Sequence, residues 1–144
     1  MQEYGVTVSR RDVNHAVATT RSFSLTLGAR RGDLTAGFNP VETLLSAMGS
    51  CLLTSLQMVA ELSRLPIGEM ALTLTAIRDD RPPRLVAISY RLRVVSPLPT
   101  ERVERLWHMA EKNSTVYQTL AQTISVSGEL DHQRVGDDEH TGDD

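Results

Sequence analysis

Cysteine is nearly absent from this 144-residue chain, with Cys51 the only one. A single thiol excludes an intramolecular disulfide and a zinc cluster built on cysteines. Aromatic side chains make up 4%, too few for a platform that stacks bases or sugar rings. Lysine is as scarce, since Lys112 is the only one among fifteen basic residues. Without the segment from His132 on, the body carries 14 basic and 13 acidic residues. It therefore lacks the basic surplus that drives phosphate-backbone binding. The opening Met1-Gln2-Glu3-Tyr4-Gly5 has no basic region followed by an apolar run, so no signal peptide is expected. No uninterrupted apolar run approaches the roughly 20 residues of a membrane span. The histidines (His15, His108, His132, His140) show no metal-ligand spacing. These absences predict a soluble cytoplasmic protein with a reduced thiol, no metal, no cofactor, no nucleic-acid partner and no membrane partner.

What is present suits one domain with one core: hydrophobic residues make up 40%. Residues 2 to 28 read as strands, because Val6 and Val8, then Phe23, Leu25 and Leu27, alternate with polar residues at a period of two. Arg10-Arg11-Asp12 and Thr20-Arg21-Ser22 are the turns between them. A loop with Gly28, Gly32 and Gly37 leads to a long helix over Pro40 to Ser63. Asn39 is its expected N-cap and Pro40 a first-turn residue. Leu44, Met48, Cys51, Leu52, Ser55 and Val59 fall along one face. Alternation predicts strands over 71–77 and 86–95, joined by a turn at Asp79-Asp80-Arg81-Pro82-Pro83. Thr100 is the expected cap of a second helix over 101–113, with Val103, Leu106, Trp107 and Ala110 facing inward. A short turn or helix over 115–121 precedes a last strand over 123–130. Strand runs separated by one long helix indicate α+β rather than alternating βαβ units. The expected division is a single domain over 1–131 and an acidic, disordered tail over 132–144.

The block Gly37-Phe38-Asn39-Pro40-Val41-Glu42-Thr43-Leu44-Leu45-Ser46-Ala47-Met48-Gly49-Ser50-Cys51 resembles the loop, proline, glutamate, helix and cysteine segment of the OsmC/Ohr family. Members of that family are osmotically inducible and organic hydroperoxide resistance proteins. Pro82-Pro83-Arg84 and the following strand resemble its central hairpin. Ala110-Glu111-Lys112-Asn113-Ser114-Thr115-Val116 lies where the family has Ala-Glu-Lys-x-Cys-Pro-Val. The resemblance implies an intertwined α+β homodimer whose long central helix, carrying Cys51, packs against antiparallel sheets. It also implies thiol-dependent reduction of organic hydroperoxides. Cys51 corresponds to the reactive cysteine. Arg31, with Arg30 beside it and Arg21 in reserve, corresponds to the arginine that steadies the thiolate. Glu42 or its neighbour Val41 corresponds to the residue that positions that arginine.

Two departures from the family pattern bear on mechanism. Ser114 stands at the resolving-cysteine position and cannot form a disulfide. Glu42 is nine residues before Cys51, about 180° round an ideal helix, whereas the family often has its glutamate directly after the proline. Cys51 as a nucleophile would act as thiolate, which a nearby guanidinium favours, and would be oxidised to sulfenic acid. With no second cysteine, an external thiol would complete the cycle through a mixed disulfide. Two alternatives remain open at this level. Cys51 is a redox sensor that stops at the sulfenate, or it is core packing in a non-catalytic protein that binds a small hydrophobic molecule.

Overall fold

A computed structural model describes residues 1–136 of the chain. Their order is β1 (Thr7–Arg10), β2 (His15–Thr20), β3 (Phe23–Gly28), α1 (Pro40–Leu62), β4 (Met70–Asp80), β5 (Pro83–Ser96), α2 (Thr100–Asn113), α3 (Thr115–Ala121) and β6 (Ser125–Arg134). The fold is mixed α+β, with three helices and two three-stranded sheets among the described residues. It divides into two compact units, Met1–Ser46 and Ala47 onward.

The first unit is an antiparallel meander in the order β1-β2-β3. Asp12 closes the first turn by accepting from the Asn14 and His15 N–H groups at 2.8 and 2.9 Å. The Arg10 guanidinium covers that turn by donating to the Asp12 and Val13 carbonyls. Register places Val8 opposite Ala18 and Ala18 opposite Leu25, so these three share one face of the sheet. Apolar and polar residues alternate here, but that does not bury the apolar face. Val6, Val8, Phe23 and Leu25 are all exposed in the single chain. Alternation marks which residues share a face and does not say what covers it.

The second unit holds the core. β4 and β5 form an antiparallel hairpin through a two-residue turn containing a cis Arg81–Pro82 peptide. Leu72, Leu74, Ile88, Tyr90, Leu92 and Val94 alternate with Thr, Ser and Arg and form one apolar face. α1 supplies Met48, Leu52, Leu56 and Val59 to the core, and α2 supplies Val103, Leu106 and Ala110. Gly49 lets α1 lie close against the β4 side chains: a Cβ there would meet Leu74 Cδ1 at 3.0 Å. Gly128 of β6 lies opposite Tyr90, and a Cβ on it would come within 2.7 Å of the phenol oxygen. The missing side chain is thus what admits the Tyr90 ring.

Three expectations need correction. The second sheet is not wholly antiparallel, because β6 runs parallel to β5. The 97–124 connection, with its two helices, is long enough to return the chain to the same end of the sheet, as a parallel pair requires. β6 also continues to Arg134, so residues 132–134 belong to the sheet and not to a tail. His132 is anchored there, its Nδ1 2.8 Å from Thr100 Oγ1 and its Nε2 3.3 Å from the Ser96 carbonyl. Residues 137–144 lie outside the described residues. Thr100 is not a cap: Pro99 holds the N-cap position of α2 without a side-chain bond. By length and composition alone α1 is apolar enough to cross a membrane, with a mean hydropathy of 1.4, as a helix that supplies Met48, Leu52, Leu56 and Val59 to a core also can be. Small residues such as Ser46, Gly49, Ser50 and Ser55 interrupt the apolar run without lowering that mean much, which is why no unbroken run appears in the sequence.

Candidate functional site

Of the site residues expected from the sequence, Glu42 and Cys51 lie on α1, Arg31 in the loop before it and Ser114 between α2 and α3. The helix starts with a reciprocal cap. Asn39 Oδ1 accepts from the Glu42 N–H at 2.8 Å, and Glu42 Oε1 accepts from the Asn39 N–H at 3.0 Å. This capping box satisfies two backbone donors that a helix start leaves unpaired. Pro40, at the first helical position, has no N–H to satisfy. One Glu42 carboxylate oxygen is therefore committed to the helix start. No ion pair joins it to Arg31 among the described residues. Arg31 is exposed in the loop before α1, next to Gly32 in the left-handed region at φ 83°. Its guanidinium bonds to no described residue. Asp33 in the same loop accepts from Thr35 Oγ1 at 2.6 Å and from the Thr35 N–H at 2.8 Å, and these bonds hold its carboxyl below the usual carboxylate range. Arg21 is occupied differently, with its guanidinium 5.7 Å from the centre of the Phe23 ring. Arg31 and Glu42 belong to the first unit, and Cys51 and Ser114 to the second.

Cys51 is half-buried and free, and its sulfur makes no hydrogen bond to any described residue. Ser55 follows one turn later on the same side of α1. It is buried, and its hydroxyl donates to the Asn113 carbonyl at 3.4 Å. The corner between α2 and α3 therefore packs against the side of α1 that carries Cys51. Ser114 is the corner residue and is fully buried. Its hydroxyl accepts from the Tyr117 N–H at 3.4 Å as the N-cap of α3, and its own N–H donates to the Glu111 carbonyl at 3.3 Å. Ser114 thus has a local structural task.

Sequence reasoning missed a polar group beside this corner. Trp107 Nε1 donates to the Tyr90 hydroxyl at 2.7 Å, and that hydroxyl donates to Glu111 Oε2. His108 Nδ1 lies 3.2 Å from Glu111 Oε1, and the His108 and Trp107 rings stack. Gln118 Nε2 ties α3 to the Glu111 carbonyl at 3.0 Å. Burial, then the bond to Glu111, pushes the Tyr90 phenol well above its ordinary range. Burial and Glu111 also push Tyr117 up. The four-residue spacing of Trp107 and Glu111 was visible in the sequence, but Tyr90 as their shared partner was not. No group of three or more His, Cys, Asp or Glu able to hold a metal occurs among the described residues.

The profile of the family described as OsmC-like protein matches residues 31–129, which include Arg31, Glu42, Cys51 and Ser114. The chain belongs to the OsmC-like family. A hydroperoxide reductase of Mycoplasma pneumoniae is 23% identical over 123 residues, covering 83% of this chain and 87% of the relative. The crystal structure of an OsmC-like protein from Mycoplasma pneumoniae matches at a TM-score of 0.82 and 21% identity, covering 94% of this chain and 99% of the other. That of an organic hydroperoxide resistance protein OsmC from Legionella pneumophila matches at 0.74 and 15% identity, covering 90% and 98%. The OsmC-like fold therefore extends over nearly all of the described chain.

Proposed function

We propose that this OsmC-like protein reduces organic hydroperoxides, with Cys51 as the attacking thiol. The observation that carries this reading is Cys51 itself: half-buried, unbonded, and midway along α1 inside the segment that matches the family. The names of the related proteins, a hydroperoxide reductase and an organic hydroperoxide resistance protein, support it.

The chemistry balances without a cofactor. The Cys51 thiolate attacks one peroxide oxygen, an S–O bond forms and the O–O bond breaks. The alkoxide takes a proton and leaves as the alcohol, and Cys51 becomes sulfenic acid. An external thiol then attacks that sulfur, releasing water and forming a mixed disulfide. A second thiol equivalent frees Cys51 and leaves as the oxidised disulfide. Ser114 has no thiol to offer and caps α3 instead, which is why the reductant comes from outside. Arg31 is the cation assigned to the thiolate, since Arg21 already lies over Phe23. Glu42 is the residue assigned to position that arginine, with its Oε1 already bonded to the Asn39 N–H. The working form is a homodimer in a reducing, cytoplasmic compartment. The exposed Val8 and Leu25 face of the first sheet supports the dimer.

The test mixes the purified protein with one equivalent of cumene hydroperoxide and follows Cys51 by intact mass and a sulfenic-acid trap. Stoichiometric sulfenate within seconds, and none from Cys51→Ser, is the expected result. No adduct after many minutes would sink the peroxidase reading and leave Cys51 as a packing residue.

A further inference from the structure

The segment just after α1 and one stripe of α2 border a groove of about 230 Å³. Ser63 and Leu65 form one side, and Arg102, Arg105, Leu106 and Met109 the other. The four α2 residues stand at i, i+3, i+4 and i+7, so they share one helix face. Leu106 is buried and Met109 is 43% exposed, which makes an apolar floor that opens to solvent. Arg102 and Arg105 are both exposed, and neither guanidinium bonds to any described residue. The groove therefore has an apolar length with two adjacent positive charges at its edge that form no ion pair with a described residue.

We propose that this groove binds a medium-chain aliphatic carboxylate, with its alkyl chain on Leu65, Leu106 and Met109 and its carboxylate between Arg102 and Arg105. Charge complementarity selects the head group, because guanidinium groups meet carboxylates through paired, charge-assisted hydrogen bonds. The floor selects the tail, since an inorganic anion would leave the apolar surface wet. Size limits the chain length: the groove falls below the roughly 300–1,000 Å³ typical of drug-sized sites. The site is separate from the thiol. Cys51 is not among its lining residues, and its test reads carboxylate binding and not peroxide reduction, so the assignment stands or falls independently of that reading.

Calorimetric titration of the full chain with octanoate, 1-octanol and acetate tests the assignment. Octanoate is expected to bind most tightly of the three, and added salt to weaken it. An Arg102→Gln/Arg105→Gln variant should lose about tenfold or more in octanoate affinity while melting at the parent temperature, because both side chains are exposed. Met109→Glu should weaken octanoate too. Three results would overturn the proposal: 1-octanol binding as tightly as octanoate, an unchanged affinity in the double arginine variant, or dissociation of a dimer by Met109→Glu. The last would assign the groove to a contact between copies of the chain.

Discussion

Single side chains in this protein hold positions that ordinary propensity would not choose. Arg64 has a φ of 55° at the end of α1. The Arg64 N–H donates to the Glu61 carbonyl and the Leu65 N–H to the Ala60 carbonyl, the bond pattern of a helix end that normally places glycine in the left-handed position. Arg64→Gly is expected to stabilise the fold by about 1 kcal/mol, read as a higher urea midpoint with an unchanged slope. Tyr90 yields a pH dependence. Burial and Glu111 raise its folded-state pKa, so the folded chain keeps the phenol proton where the unfolded chain has released it. That contribution is fully present below the unfolded value, about pH 10, and is lost as the pH rises beyond it. Urea midpoints followed from about pH 8 to about pH 11 should fall at the alkaline end. Tyr90→Phe should flatten the fall only in part, because Tyr117 is shifted the same way.

At the scale of elements, α1 was legible in the sequence almost to the residue. Asn39, Pro40 and the helical periodicity predicted Pro40 to Ser63, and the helix runs Pro40–Leu62. Such signals are local: a cap and its partner lie three residues apart. Asn39→Ala removes half of the capping box and should cost about 1 kcal/mol; equal stability of the variant in chemical denaturation would show that the cap contributes nothing. The opposite holds for α2, where Thr100 had the right residue type for a cap but became the first helical residue. Its hydroxyl is drawn to His132 on β6 instead, a partner thirty-two residues away. β6 shows the same limit. Its polar and charged last residues read as tail, yet pairing with Val94, Val95 and Ser96 of β5 keeps them in the sheet.

At the scale of the molecule, the division of apolar surface points beyond one chain. Every buried hydrophobic core residue, from Met48 to Ala110, lies in the second unit. The first sheet presents Val8, Phe23 and Leu25 to solvent, and burying such side chains is worth roughly 1.5–3 kcal/mol each. In the homodimer proposed above, a second copy covers them. Sedimentation velocity should then give twice the chain mass, and Leu25→Asp should shift the boundary toward the single chain. A parent protein that sediments as one chain at every concentration would remove the dimer from the proposal.

The sequence by itself determined the α+β class, the long helix and its cap, the placement of Cys51 within that helix and the family resemblance carried by residues 37–51. All of these are written in patterns a few residues long, or in one continuous block. Only the tertiary structure decided that β6 runs parallel to β5, that Ser114 is a buried cap, and that Tyr90, Trp107 and Glu111 share one hydrogen-bonded group. Tyr90 and Glu111 are twenty-one residues apart. Partners at such separations are chosen by how helices dock on a sheet, which no local pattern encodes.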